Sequence, residues 1–556
     1  MIPVHDDMTI EQALRLVVEK YPTNPLMMVP ANPARSYYPE GMTLTYEQAG
    51  NAIAALAARY RQAGYGYPHR VGLLLENRPE HMLHKLAMNT LGICCVPVNP
   101  DYKAGELAYL IDHAKVDLMV VLRSRLSLVR EALTQTKHQP PVVALEDFVV
   151  ALPEASLQPR QDVPVHARMP ASILYTSGTT GRPKGCVLSH EYELAAGAWY
   201  ARQGGLVSVR EGQERLYNPL PLFHVNASIL SFYCMLLTGN CQVQSDRFQA
   251  SRWWTEIRET RATIVHYLGV IVSMLMNQPP SPDDRNHQVR LGYGAGAEPQ
   301  LHAAFEERFG FPLVELWGMT EMVRTLNDNE PPRKVGTRAF GKAMPGLEAR
   351  VVDDLGNEVP DGQPGELVIR YSETEPRKHF FLGYLDDPAA TEAAWAGGWF
   401  HTGDVVTRDP DGMLHFVDRR KNIIRRAGEN IAAAEIEAWL LTHPKVEQAA
   451  VMAVPDEIRE EEVMACIVIK PEFLEIRSGQ QANAEYRAAR DVIAREVFDY
   501  CLNNLAYYKA PGWIYLTDRI PTTDTQKIQK HRIFSAGSDP RQAPGVLDMR
   551  DLKRRG

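Results

Sequence analysis

The sequence predicts an α/β fold: a large portion of doubly wound sheet, then a small β-rich subdomain, then a compact α+β portion. Three observations predict it. Short apolar runs alternate with helical signals from residue 45 onward, and the same rhythm recurs after residue 170. From about residue 345 the texture changes to short alternating segments such as EARVV (348–352) and GELVIR (365–370), set between Asp/Gly/Pro turns. From about residue 421 a helix, two strands and a long helix follow in close order.

Residues 45–64 read as an amphipathic helix. Thr45 and Gln48 fit a capping box, Ile53, Leu56, Ala57 and Tyr60 share one face, and Gly64 ends it. Residues 71–75 (VGLLL) suit a buried strand, 80–91 a helix, 94–98 a strand, 104–114 a helix and 116–122 another strand. After the middle of the chain, 187–190 lead into a helix, and 241–243 and 262–266 read as strands. In the last portion the pattern predicts a helix over 434–442, strands over 447–454 and 463–470, and a helix over 484–504. The polar, Pro-bearing tail after Gly537 is expected to pack poorly.

Composition bounds the function. A chain of 556 residues allows three or four units at roughly 150 residues each. Sixty Lys+Arg against 68 Asp+Glu give a net charge of −8, which argues against nucleic acid as the main partner. The seven cysteines form no Cys-x-x-Cys pair, so reduced and mostly buried thiols in a cytoplasmic protein are expected. The acidic start (MIPVHDDMTI) does not fit a signal peptide, no apolar run reaches about 18 residues, and no integral membrane segment is expected. Neither HExxH nor a closed Cys/His zinc spacing occurs.

The most informative stretch is ILYTSGTTGRPKG (173–185). An apolar run leads into Thr176, Ser177, Gly178, Thr179, Thr180 and Gly181, and then Lys184. Glycines let backbone N–H groups approach an anion closely, and hydroxyls with one Lys complete a polyphosphate cradle. The bland alternative is a Ser/Gly turn between strand and helix. It is not the Walker pattern, because Gly185 follows Lys184. A second glycine pair, Gly294-Ala295-Gly296, could open a dinucleotide site, but Pro299 occupies the position of the third glycine.

This loop resembles the signature of the adenylate-forming superfamily of acyl-CoA synthetases, peptide-synthetase adenylation domains and luciferases. Further motifs follow in that family's order: PLPLFHVN (219–226), YGAGAE (293–298), LWGMTE (316–321), WFHTGD (399–404), DRRK (418–421) continuing to Glu437, and PTTDTQKI (521–528). The resemblance spans about residues 40 to 533. It implies that a carboxylate reacts with ATP to give acyl-AMP and pyrophosphate, and that a thiol then displaces AMP. It also implies an AMP-binding domain over 1–420, with its β-rich part at about 345–420, and a mobile lid over 421–556 that rotates between the halves.

The resemblance assigns roles one residue at a time. Lys527 bridges carboxylate and phosphate, with Gln526 where Gly is usual; a solvated surface Lys is the alternative. Glu321 and Thr176 take Mg²⁺, and Thr320 donates to the α-phosphate; a helix N-cap with a first-turn acid is the plain reading of Thr320-Glu321. Gly294, Ala295, Gly296, Glu298, Trp317 and Gly318 lie on the adenine side, although a Trp such as Trp317 also suits a core. Asp404 and Arg419 take the ribose or phosphate, against a turn and a surface ion pair. His224 lines or gates the acid pocket, Lys421 is the hinge, and Gly428 in RRAGENI (425–431) lets a thiol arm pass close to backbone. That last segment is similar to the acyl-CoA synthetase version, so CoA is the expected thiol and ATP and Mg²⁺ the other cofactors. A small carboxylic acid is the remaining substrate, and a homo-oligomer is left open. Stretches such as MNQPPS (276–281) and FEERFG (305–310) resemble bacterial carnitine/crotonobetaine-CoA ligases; medium-chain or aryl acids, and delivery to a separate carrier protein, remain the alternatives.

Overall fold

The computed structural model describes residues 1–160, 162–176, 183–419, 422–426, 429–456, 459–473, 484–505, 507–522, 528–535 and 537–553. Packing divides the chain into two compact units. One comprises Met1–Ala349, Val368–His401 and Gly412–Leu414; the other comprises Arg350–Leu367, Thr402–Asp411 and His415–Gly556.

The first unit holds two large sheets. The seven-stranded one runs, edge to edge, through Gly383–Tyr384, Lys184–Ser189, Pro170–Thr176, Cys94–Pro97, Arg70–Leu74, Leu118–Val121 and Val142–Ala144. Its last five strands are parallel. Successive strand residues serve opposite faces: Leu118 and Val120 join a core with Tyr60, Val71 and Phe148, whereas Met119 and Val121 join one with Leu107, Ile111 and Val129. Helical residues cover both faces, which is the doubly wound arrangement the alternation predicts. The capping box at Thr45 and Gln48 forms, and it starts the helix Tyr46–Gln62.

The eight-stranded sheet runs through Met322–Asn327, Leu313–Met319, Leu291–Ala295, Ile264–Leu268, Arg215–Asn218, Cys241–Gln244, Pro25–Val29 and Met42–Thr45. Its interior is parallel and both edge strands are antiparallel. Antiparallel edges are what alternation alone does not predict, because a hairpin needs only a short turn and leaves no crossover helix in the sequence. All seven cysteines are buried and none is paired.

The second unit includes residues of four strands in the β-rich segment, adjacent in the order Leu414–Arg419, Phe400–Arg408, Gly365–Arg370 and Glu348–Val352. Beyond them lies a six-stranded sheet built from Glu429–Ala432, Ile423–Arg426, Glu460–Ile469, Trp513–Leu516, Val546–Asp548 and, pairing with Glu460–Ile469, Val446–Asp456. Ile436 and Leu440 of the helix Ala433–Leu441 and Val497 and Phe498 of Ala484–Asn504 fill its core. The tail does not behave as its composition predicts. Val546–Asp548 adds a strand beside Trp513–Leu516, and Met549 is buried in the same core. Short apolar runs such as Val546-Leu547 carry little weight in a composition reading, yet a free sheet edge makes them useful.

Candidate active site

The glycine-rich segment joins two antiparallel strands, not a strand and a helix. Pro170–Thr176 and Lys184–Ser189 pair with Thr176 opposite Lys184, so these two residues stand together at the open end of a hairpin. Ser177, Gly178, Thr179 and Thr180 lie outside the described residues, as do Lys421, Gly428 and Lys527. The Lys184 ammonium sits 4.7 Å from the centre of the Tyr384 ring, a favourable cation–π placement.

Tyr384 ties this corner to the LWGMTE segment. Leu313–Met319 and Met322–Asn327 are antiparallel with Met319 opposite Met322, so Thr320 and Glu321 form the two-residue turn of a hairpin. The N-cap reading of that pair is therefore replaced: no helix follows it, and the turn projects the acid from the end of the sheet. Glu321 is nearly buried, at 7% exposure, and one of its oxygens accepts from the Tyr384 hydroxyl at 2.8 Å. Burial, with the Glu321 carboxylate beside it, pushes the Tyr384 phenol well above its ordinary range. That phenol stays protonated and remains a donor. The Thr320 carbonyl accepts from the Tyr192 hydroxyl at 2.7 Å, which fixes the turn from below. An ionised carboxylate has about four lone-pair directions, so the bond from Tyr384 is compatible with a hard cation at Glu321.

The glycine pair has a steric explanation. A Cβ on Gly294 would stand 2.2 Å from the Tyr267 carbonyl oxygen, and one on Gly269 would stand 1.7 Å from that of Gly296. Gly296 also has φ +84, where side chains are strained. The strand end Gly294-Ala295-Gly296 is thus pressed against its neighbour. Glu315 secures it, accepting from the Tyr267 hydroxyl at 2.6 Å and from the N–H groups of Gly296 and Ala297 at 2.9 and 3.0 Å. Burial pushes the Glu315 carboxyl up, against those three donors. Glu298 precedes the helix Pro299–Phe309 and accepts from the Gln300 amide at 2.7 Å; burial raises its carboxyl too. Trp317 is buried, with Phe340 6.0 Å away between ring centres, and Gly318 follows it in the same strand.

His224 is exposed, with its ring 4.5 Å from that of Phe223. Directly after it the chain makes a π-helix, Asn226–Ser231, a local widening frequent at functional sites and invisible in apolar periodicity. Asn226 Oδ1 lies 2.7 Å from His266 Nδ1. His266, Tyr200 and Tyr293 are fully buried together, with the tyrosine rings stacked at 4.6 Å. Burial pushes His266 down to about 3, so it is neutral at physiological pH.

In the second unit, Asp404 and Arg419 meet. The guanidinium Nε is 2.7 Å from Asp404 Oδ1, with Asp404 1% exposed and Arg419 partly open. The preceding residue has a function the sequence did not suggest. Asp418 accepts from the N–H of Arg419 at 2.7 Å, from the Asn422 amide at 3.1 Å and from the N–H of Ala434 at 2.8 Å. It thereby pins the strand end to the first turn of Ala433–Leu441, where a carboxylate is favoured.

Two residues here escaped sequence reasoning, Tyr384 and Glu315, and Asp418 was named within DRRK (418–421) without this role. An acid inside an apolar strand, as in LVELW (313–317), is the signal that could have found Glu315. Tyr384 in FLGYL (381–385) looks like ordinary core. Among the described residues a separate cluster of Asp6, Glu191 and His379 could hold a metal ion, but Lys378 lies 2.8 Å from Asp6 and already supplies the positive charge.

Comparison with known proteins supplies the context for this geometry. The profile of the AMP-binding enzyme family matches residues 20–385, and that of the AMP-binding enzyme C-terminal domain matches residues 435–527. The chain is 29% identical over 499 residues to a crotonobetaine/carnitine–CoA ligase of Shigella flexneri, covering 87% of this chain and 92% of that one. A crotonobetaine/carnitine–CoA ligase of Escherichia coli O8 is equally similar, with the same identity and coverage. Among solved structures, the fold is similar to that of o-succinylbenzoate CoA synthetase from Bacillus subtilis bound to an acyl-adenylate, with TM-score 0.77, 22% identity and coverage of 95% and 99%. It is also similar to ATP-bound MatB from Rhodopseudomonas palustris, with TM-score 0.76, 23% identity and coverage of 94% and 98%.

Proposed function

The chain belongs to the AMP-binding enzyme family, and from that premise we infer that it is an ATP-dependent, AMP-forming acyl-CoA ligase. In the first half, a carboxylate oxygen of the acid attacks the α-phosphorus of ATP. The bond from that phosphorus to the bridging oxygen breaks, and pyrophosphate leaves with the electron pair. In the second half, the sulfur of CoA attacks the acyl carbonyl, the carbon–oxygen bond to phosphate breaks, and AMP departs while the thiol proton passes to water.

One observation carries the reading: a cation and a carboxylate gathered by one tyrosine beside the open end of the glycine-rich hairpin. Negative charge accumulates on the phosphates as pyrophosphate leaves, so the chain must offer cations and oriented donors there. Lys184 meets the phosphates together with Thr176 and, by resemblance, Ser177, Gly178, Thr179 and Thr180. Glu321 and Thr176 would hold Mg²⁺, which when bound offsets the charge of the leaving pyrophosphate. Tyr384 holds Glu321 in one orientation. Thr320 donates to the α-phosphate, and Gly294, Ala295, Gly296, Glu298, Trp317 and Gly318 border adenine. Asp404 and Arg419 act as a pre-assembled pair toward the ribose. His224 stands on the acid side, where it opens or closes the approach of the thiol.

Lys527 and the division at residue 420 belong to the same reading. Residues 421–556 rotate about Lys421, bringing Lys527 to the adenylation step and the Gly428 segment to the thiol step. The Lys527→Ala variant is expected to lose adenylation while still forming thioester from supplied acyl-AMP; Lys421→Pro is expected to do the reverse. The acid is of the carnitine/crotonobetaine type, supported by resemblance and by the relatives' names. An aryl or medium-chain acid is the second reading, favoured by the same aromatic cluster around Tyr200 and Tyr293. The protein works in the cytoplasm, where ATP and CoA are abundant.

The test is acid-dependent exchange of labelled pyrophosphate into ATP, followed by CoA-dependent release of AMP, over short, branched, aryl and betaine acids. Absence of exchange with every acid defeats the reading. Exchange without acyl-CoA formation points instead to an enzyme that loads a carrier protein.

A further inference from the structure

Lys553, in the C-terminal tail, belongs to a buried ion cluster that reaches across the second unit's sheet. Glu462, in the strand Glu460–Ile469, is fully buried, and each of its oxygens is bound by a cation from a different element. Oε2 accepts from Arg426 Nε at 2.8 Å. Oε1 accepts from Lys553 Nζ at 2.6 Å and from the neighbouring Val463 N–H at 2.8 Å. The side chains of Lys553 and Arg426 are 1% and 4% exposed. Lys553 also donates to the Tyr508 carbonyl at 3.2 Å. A buried carboxylate is tolerated only when its lone pairs are met, and two cations at fixed positions set its orientation.

Backbone packing leads the tail to that point. Trp513–Leu516 pairs on one side with Glu460–Ile469 and on the other with Val546–Asp548. The Gly512 N–H donates to Val463 and its carbonyl accepts from Met549, both at 2.8 Å. A Cβ at Gly512 would stand 2.4 Å from Glu462 Cγ, so glycine there makes room for the acid. Arg550 lies 3.1 Å from Asp456 and over the Trp513 ring at 4.5 Å, one turn before Lys553.

The other end of the cluster is a hairpin. Arg426 ends the strand Ile423–Arg426, stands opposite Glu429 in its partner Glu429–Ala432, and pairs along the backbone with Glu460. Glu429–Ala432 is the edge of the sheet. A two-stranded hairpin holds itself weakly. Here Ile424 and Ile431 anchor one face in the core, and the Arg426–Glu462 pair anchors the last residue of Ile423–Arg426, opposite Glu429.

We propose that the tail is a brace for this hairpin, and that Lys553, acting through Glu462 and Arg426, is a positioning residue for thioester formation. The positioning half of this rests on the geometry alone; the catalytic half rests on the ligase reading, which places the hairpin on the thiol side. Aligning Glu462 from the tail fixes Arg426, and Arg426 fixes the end of the strand pair that it shares with Glu429. On the ligase reading it is the thiol step, and not adenylation, that uses this end.

Full-length protein and its Lys553→Met variant are compared by hydrogen exchange and by the two half-reactions. The variant is expected to exchange the amides of Ile423–Arg426 and Glu429–Ala432 several-fold faster, with Ala433–Leu441 unchanged. Thioester formation from supplied acyl-AMP and CoA is expected to fall about ten-fold, with pyrophosphate exchange kept within about two-fold. Lys553→Arg should restore most of the loss, and Glu462→Gln should reproduce the pattern. Unaltered exchange at the hairpin, or equal loss in both half-reactions, overturns the proposal. Wild-type protein silent in pyrophosphate exchange with every acid would strike the ligase reading instead, and hydrogen exchange would then decide the brace by itself.

Discussion

Tyr384 donates its hydroxyl to Glu321 at 2.8 Å across 63 positions of sequence, and its ring also receives the Lys184 ammonium. One residue that carries no charge thus orients the acid and shelters the cation on which the proposed phosphate chemistry depends.

The Tyr384→Phe variant separates these two services, since the ring stays and the hydroxyl goes. A hydrogen bond to a charged group is worth roughly 1.5–3 kcal/mol. Pyrophosphate exchange is expected to slow about ten-fold, equivalent to ~1.4 kcal/mol, and the Mg²⁺ concentration for half-maximal rate should rise. Wild-type behaviour in both would mean that Glu321 needs no orientation.

Glu315 meets three donors at the glycine-rich strand end. Glu315→Gln puts an amide NH₂ where a donor already points, so at least one buried group loses its partner, at a cost of about 1–3 kcal/mol. A lower urea midpoint is expected, together with a raised KM for ATP as the Gly294–Ala297 segment loosens. A lowered midpoint with unchanged KM would confine Glu315 to stability.

Asp404 and Arg419 are already paired before any nucleotide arrives. If the pair serves the ribose, Asp404→Ala should raise the KM for ATP about ten-fold in pyrophosphate exchange, and Arg419→Lys should have a smaller effect, since the charge is kept while the planar fork is lost. An unchanged KM in both variants would leave the pair as an ordinary ion pair.

Stability should decline on mild acidification. Burial pushes His81, His84 and His266 each down to about 3, whereas an unfolded imidazole titrates near 6.5. Between those values the unfolded chain takes up protons that the folded chain refuses. The stabilisation is therefore complete above pH 6.5 and drains as pH falls toward 3, by up to ~2 kcal/mol per histidine at pH 5. Glu211 and Glu306, held at about 2 by their ion pairs and hydrogen bonds, begin to lose stabilisation only below about 4.5. The raised carboxyls of Glu298 and Glu315 and the raised His302 act in the opposite sense, so urea midpoints at pH 7.5 and pH 5 are compared in the wild type and in His266→Gln. The wild type is expected to lose stability at pH 5 and the variant to lose less, and an equal loss in both would show that His266 is not held neutral.

Much of the fold was legible because its signals are local. The Thr45–Gln48 box, the stop at Gly64 and the alternation around Val71 and Leu118 concern neighbours a few positions apart. The candidate site was named from motifs, and the plain alternatives weighed for two of those motifs do not form. The glycine-rich segment closes a hairpin and not a strand-to-helix turn, and Thr320-Glu321 is a hairpin turn and not a helix N-cap. Ser, Thr, Gly and Glu suit both kinds of turn, so composition cannot choose; pairing with a distant strand does.

By itself, then, the sequence determined the alternating α/β framework, the order of the motifs and the residue types able to meet phosphate, ribose and a divalent cation. Tertiary structure decided which side chains stand behind them. Lys85 meets Glu193, 108 positions away, in full burial; Tyr384 reaches Glu321; Lys553 reaches Arg426 through Glu462. A charge or hydroxyl in isolation reads as surface or as ordinary core, and its meaning depends on the partner that folding brings within 3 Å or so, because only there does a buried polar group recover what it lost in leaving water.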